Sequence, residues 1–437
     1  YEFQNQPLQL ATNSFLTRSY NIFRLKWMLK DAGDAANSEA INKFFSSLAN
    51  AETGRDSLKK LLQVLTSDKS MNADSAGVNK QIAEDFNQLP AAVRSLAKDA
   101  ALDLQQMLID IPDNSLAADW KNLCITIQKD LAQSPEKTLD ELNTLRQSLL
   151  KNDNVRFFTV GSASTEQKLN KSIENLLSGF SKEPVAKQDY SKQNLIDERV
   201  EQRMNSDKTP VFVGLINPDS PTGVFINTAP LSGYKDLSEN ELTRFLTGEL
   251  YAGGGKQSVY TKSTGAGLSY STGIGVNPAS GRFEYYAERT PLLPQTLRFV
   301  IDEIKKSPKD NSMLDYVVSL AVGGFRSAND YEIRGEAMAN DLEDGVTPDV
   351  VKDFRLAILK LRKKQNFIDD IYKYKDQVYQ KILPGYGEPS KDVTGGNFFV
   401  IGPEQQMAAY EAYLKSVDGN DTELYRLYPR DFWMVVP

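Results

Sequence analysis

One absence bounds the chemistry open to this chain: none of its 437 residues is a histidine. Imidazole is the general base of Ser-His-Asp and Cys-His hydrolases and the usual zinc ligand. Those classes are excluded, together with the H-E-x-x-H and H-x-x-E-H helices. The single cysteine, Cys124, rules out an internal disulfide and a zinc site built from cysteines. It lies in WKNLCITIQ on a helical apolar pattern and reads as a buried small hydrophobe. The run GGGKQS at 253–258 sets a lysine after glycines. A phosphate loop needs G-x-x-x-x-G-K-[ST] between a strand and a helix. Here Leu250 stands five before Gly255, Gln257 follows Lys256, and the order is helix then strand, so a helix stop and turn are expected. The acidic runs Asn340–Gly345 and Asp197–Glu201 lack calcium-loop spacing and read as solvated helix ends.

The informative chemistry lies in STGAGLSYSTGIGV, Ser263 to Val276. Leu268, Tyr270, Thr272, Ile274 and Val276 alternate with Ser269, Ser271, Gly273 and Gly275. On an extended chain one face is apolar, and alternation alone expects it, Tyr270 included, to be core. The other face is stripped nearly to backbone, which lets a helix, or an extended peptide pairing through its main chain, approach closely.

Length and composition frame this stretch. A chain of this length suggests two or three domains, and 40% apolar with 25% charged residues is ordinary for a folded one. The net charge of −7, with no basic patch or RNA-binding aromatic motif, argues against nucleic acid or an anionic membrane as partner. No apolar run is long enough to span a bilayer and no signal peptide is visible, so the compartment stays open. The chain starts at Tyr1 rather than Met, and an upstream segment, either removed or belonging to a longer protein, is expected.

Residues 1 to about 150 read as helical: SEAINKFFSSLAN, GRDSLKKLLQVLTSD and LPAAVRSLAKDAALDLQQML repeat apolar residues three and four apart. VRFFTV at 155–160 reads as a strand, then Gly161 and a helix. The same unit recurs 241 residues later, where Phe398, Phe399, Ile401 and Gly402 echo Phe157, Phe158, Val160 and Gly161. This suggests a duplicated domain whose first copy is partial and helix-rich. The expected domains are 1–184, a polar linker at 185–208, and 209–437. In the last, VFVGLI and GVFINTA read as strands around a turn. Ser238 and Glu241 have capping-box spacing ahead of Leu242, Phe245, Leu246 and Leu250. RFEYYAER follows a NPASG hairpin, and Leu297, Val300, Ile301 and Ile304 form one helix face. The expected fold is α+β, a mainly antiparallel sheet with helices packed on one face.

FLTGELYAGGG…VYTKSTGAGLSYS, FEYYAERTPLLPQTLRFVIDEI and NFFVIGPEQQM occur in that order. Together they resemble one domain of the pitrilysin/insulinase family of zinc metallopeptidases, the family that includes presequence protease. The resemblance covers 209–437 and, with TLDELNTLRQSLLKNDNVRFFTVGSASTEQKLNKSIENLLSGF, 130–184 as the end of a preceding domain; over 1–130 it is weak.

That resemblance implies an insulinase-like domain repeated, and the non-catalytic C-terminal half of a zinc metalloendopeptidase that degrades peptides. The H-x-x-E-H helix of the family is missing, so no metal ligand and no catalytic residue is expected in this chain. Zinc is implied in an absent catalytic half, the expected partner, with a peptide substrate held in a chamber between the halves. The family's R-x-x-x-G-L-x-Y strand maps onto Ser263, Gly267, Leu268 and Tyr270. Tyr270 matches the substrate-steadying Tyr. The Arg position is Ser263, with Lys262 adjacent, and a Lys cannot donate bidentately. Arg289, in AERTP, is a fallback cation; read as residues alone it is an exposed strand Arg. The alternative reading is an inactive pseudo-peptidase that binds peptides or serves in assembly.

Overall fold

The structure, a computed structural model, describes residues 35–51, 54–66, 80–91, 93–95, 98, 113–132, 134–186, 212–217, 220–322, 331–387 and 395–428. Nearly all of the expected linker and the acidic run Asp197–Glu201 lie outside them, as does much of the helix expected after Pro90. Two compact units divide the chain. One is Tyr1–Asn154 with Phe180–Ser206 and Tyr428–Pro437; the other is Val155–Gly179 with Asp207–Leu427.

The first unit is mostly helical where described, with one parallel bridge between Lys151 and Ser181. Helices α1 (Ala35–Ala49), α2 (Arg55–Thr66), α3 (Lys80–Gln88), α4 (Leu116–Ala132) and α5 (Pro135–Leu149) follow in order. The spacing that predicted helices also builds their core: Phe44, Phe45, Leu48, Phe86 and Trp120 are buried, and the Trp120 indole donates to the Leu48 carbonyl at 2.7 Å. Cys124 is fully buried, and burial pushes its thiol up to about 12. α5 differs. Ser134 caps it by accepting from the Lys137 N–H, yet Leu139, Leu142, Leu145 and Leu149 are all more than half exposed.

The second unit carries one six-stranded sheet, ordered β3-β4-β2-β5-β1-β6. Its strands are β1 (Phe212–Ile216), β2 (Gly223–Pro230), β3 (Ser271–Asn277), β4 (Arg282–Thr290), β5 (Asn397–Gly402) and β6 (Tyr425–Leu427). The α+β class holds, but the sheet is mixed. β3, β4, β2 and β5 pair antiparallel, whereas β5–β1 and β1–β6 are parallel. The cause is topological: β5 arrives from the long helical return and inserts between β2 and β1. It runs against one and along the other.

Before that sheet lies α6 (Ala163–Leu177). Within it come α7 (Glu239–Gly248), α8 (Val259–Gly265), α9 (Leu293–Lys306), α10 (Met313–Val322), α11 (Tyr331–Glu343), α12 (Pro348–Leu361), α13 (Phe367–Lys373), α14 (Lys375–Tyr379) and α15 (Glu404–Asp418). Side chains alternate along a strand, and the register sorts them into two faces. Phe225, Tyr285, Thr272, Val400 and Gly214 share the face that meets helices. Phe225 packs its ring edge-on to Tyr410 of α15 at 5.3 Å. A Cβ on Gly223 would strike Leu293 of α9, and Gly248 of α7 lies against Val276 and Phe283. Ser238 accepts from the Glu241 N–H as the cap spacing predicts. The Glu241 carboxylate turns to Ser232 and Arg244 rather than back to the cap.

The echo splits into two outcomes. Phe398–Gly402 is an interior strand, with Phe398 1% exposed and Val400 fully buried. VRFFTV forms no strand, and Phe157, Phe158 and Val160 are 47%, 44% and 42% exposed. An extended segment becomes a strand only when another ladder accepts its N–H and C=O groups, and no described strand stands beside this one. The expected strand of the first copy is therefore corrected.

Candidate functional site

The stretch from Ser263 to Val276 is not one long strand. Ser258 caps α8 by accepting from the Thr261 N–H. The helix runs through Lys262 and Ser263 and ends at Gly265. Gly267 then turns the chain with φ +70, a left-handed value that glycine takes without strain. The Thr296 hydroxyl donates to the Leu268 carbonyl at 3.1 Å and ties that turn to α9. β3 starts only at Ser271.

This breaks the expected alternation at its first members. Thr272 and Ile274 are buried, as predicted, while Ser271, Gly273 and Gly275 are half-buried on the outer face. Tyr270 precedes the strand and is 67% exposed rather than core. The turn at Gly267 releases it from the alternation that holds Thr272.

The stripped face has a specific neighbour. Gly273 pairs with Tyr286 of β4, and a Cβ on Gly273 would lie 2.5 Å from the Tyr286 ring. The missing side chain lets that ring lie across the strand. β3 is an edge strand of the sheet. Thr272 is 1% exposed, and the Val276 N–H donates to Glu249 Oε1 at 3.2 Å. A carboxylate thus takes the place of a neighbouring strand at Val276, one way of protecting a sheet edge. Burial pushes the Glu249 carboxyl up to about 7; the Val276 N–H works against this and Glu284 adds to it.

Lys262 and Ser263, expected in a strand beside Tyr270, sit on α8. Lys262 Nζ pairs with Glu303 of α9 at 2.9 Å. Ser263 is 1% exposed, and its hydroxyl has no hydrogen-bond partner among the described residues. Both line a small pocket with Tyr251, Phe299 and Val300, with room for about one water molecule. Gly267 is exposed with open space around it. Arg289 is the cation found at Tyr270: its guanidinium lies over the ring, 4.6 Å from the centroid. The sequence marked Arg289 only as a fallback. Tyr286 and Glu249 were not singled out, because neither carries a local signal; each matters only through a cross-strand or helix–strand neighbour.

The glycines at 253–255 make a turn, as expected. The Tyr316 hydroxyl donates to the Ala252 carbonyl at 2.6 Å and accepts from the Gly255 N–H. Asp341 of the run Asn340–Gly345 accepts from the Tyr234 hydroxyl. Zinc, which the resemblance implies for the family, does not fit this chain's donors. There is no imidazole, the one thiol is buried and held protonated, and no cluster of three ligating side chains occurs among the described residues.

No protein-family model matches the chain, and no curated protein matches it. Among solved structures it is similar to a candidate zinc protease from Bordetella pertussis Tohama I (14% identity, TM-score 0.28, 40% of this chain and 93% of that one). It is similar to a peptidase M16 inactive domain from Pseudomonas fluorescens (15% identity, TM-score 0.31, 54% and 51%), about half of whose length it spans. It is also similar to a predicted insulinase family protease from Yersinia pestis (14% identity, TM-score 0.34, 84% and 89%). No helix among the described residues is long and apolar enough to cross a membrane.

Proposed function

We propose that this chain is the non-catalytic half of a zinc metalloendopeptidase and holds unstructured peptides on the outer face of β3 and β4. The observation that carries the reading is Tyr270: a large aromatic side chain, 67% exposed, at the start of the glycine-rich strand of a chain without histidine. Tyr270 offers a ring for stacking and a hydroxyl with no partner among the described residues. On the outer face of the sheet the Tyr286 ring covers Gly273, and Gly275 carries no side chain. Aromatic faces next to small residues suit an extended peptide, since ring and main chain make contact whatever the peptide's sequence. The metal and the general base belong to the partner half.

The test is peptide binding and cleavage by the purified 437-residue chain. It is expected to bind fluorescent unstructured peptides without cleaving them, and a chelator is expected to leave binding and folding unchanged. Adding a zinc-bearing catalytic half is expected to bring cleavage, reduced by Tyr270→Ala. Zinc-dependent cleavage by this chain alone overturns the reading. Binding that no catalytic half converts into cleavage selects the pseudo-peptidase alternative.

A further inference from the structure

We propose that a β-bulge in β4 aims Arg289 over Tyr270 to form a receptor for a carboxylate carried by a bound peptide. This rests on the peptide-holding reading above.

Three features meet at one residue. The β2–β4 register pairs Gly223 with Thr290 and Phe225 with Ala287. Val224 therefore faces two residues, Glu288 and Arg289, where a regular ladder would give it one. A bulge re-aims a side chain that plain alternation would send elsewhere. Arg289 also takes φ +49, a left-handed conformation that favours glycine. An arginine kept at a glycine position, with no burial to recommend it, points to a use for its head group. Finally, the guanidinium stands over the Tyr270 ring. It is exposed and has no hydrogen-bond or ion-pair partner among the described residues.

A guanidinium stacked on a ring still presents its in-plane N–H groups. Their fork matches the two oxygens of a carboxylate. The free Tyr270 hydroxyl stands at the same place as a further donor. Glu288, the chain neighbour of Arg289, and Glu284, four residues before Glu288 on the same face of β4, make the surroundings acidic. Loose anions are thereby disfavoured relative to a carboxylate delivered on a chain that also contacts Tyr270. That carboxylate comes either from the peptide's C-terminus or from an Asp or Glu side chain.

The experiment uses the full chain and four labelled peptides of one unstructured sequence: with and without an internal Glu, each with a free or an amidated C-terminus. Arg289→Gly is the decisive variant, because glycine relieves the backbone while deleting the cation. It is expected to keep or raise the thermal midpoint and to lower affinity about tenfold for peptides carrying the recognised carboxylate. The peptide lacking both carboxylates is expected to bind wild type and variant alike. Loss with amidation assigns the C-terminus, and loss with Glu→Gln assigns the side chain. Arg289→Lys is expected to recover only part of the affinity. Equal affinities of wild type and Arg289→Gly for all four peptides overturn the inference, as does a lowered midpoint, which would make Arg289 structural. If wild type binds none of them, the peptide-holding reading falls. The receptor is then read by titrating N-acetyl-glutamate and following the Arg289 Nε–H resonance: a saturable shift supports it, and no shift overturns it.

Discussion

The Arg289 guanidinium lies 4.6 Å from the centre of the Tyr270 ring. Tyr270 precedes β3, and its own N–H donates to the Glu288 carbonyl at 3.1 Å. That bond ties Tyr270 to the residue before Arg289, while both side chains are exposed. The arrangement uses an exposed aromatic and a strained cation without taking core volume from the fold.

Because Tyr270 buries little, Tyr270→Ala is expected to change folding stability by no more than about 0.5 kcal/mol. It is expected to weaken peptide binding several-fold, the loss of one aromatic contact. Denaturant titration and fluorescence anisotropy on the same sample separate the two effects. A large stability loss would move Tyr270 from the site to the scaffold.

Glu249 sets a pH dependence. Its carboxyl is raised in the folded state from 4.5 to about 7, chiefly by burial. The folded chain therefore holds a proton that the unfolded chain releases between those values, and stability falls as pH rises from about 4.5 to 7. Above 7 the cost is fully present, on the order of 3 kcal/mol. Glu249→Gln is expected to flatten that part of the stability–pH curve and to raise stability at pH 8. Urea midpoints at pH 5, 6, 7 and 8 measure it, and parallel curves for the two proteins would contradict it.

Gly248 marks the close approach of α7 to the sheet. A Cβ there would sit 2.5 Å from Val276 Cγ2 and 3.3 Å from Phe283. Gly248→Val is expected to destabilise by about 1–3 kcal/mol through overpacking. Gly267 has open space and only its φ of +70 to satisfy, so Gly267→Ala is expected to cost about 1 kcal/mol through backbone strain alone. Thermal unfolding of the two variants tests the difference.

The two copies of the Phe-Phe motif give a matched pair. Phe398 is 1% exposed and packs, tilted, against Phe212 with ring centres 5.0 Å apart, so Phe398→Ala is expected to cost about 3–5 kcal/mol. Phe157 is 47% exposed, and Phe157→Ala is expected to stay within about 0.5 kcal/mol. Equal losses would mean that 155–160 is packed as a strand after all.

Much of this was legible locally. The absence of histidine excludes whole classes of catalyst without any structure, because no geometry can replace a missing functional group. Ser238 before Leu242, Phe245 and Leu246 marks a helix, and Thr272 with Ile274 against Gly273 with Gly275 marks a two-faced strand, because those periods are properties of the backbone. The tertiary structure decided the rest. It made Phe398–Gly402 a strand and left Phe157–Val160 unpaired, since a ladder needs a neighbour that no local pattern encodes. It put Lys262 and Ser263 on a helix, where a capping serine outweighed the run of alternating small residues. It brought Arg289 to Tyr270 through a bulge, and a bulge shows only when two strands are laid side by side and one is found a residue too long.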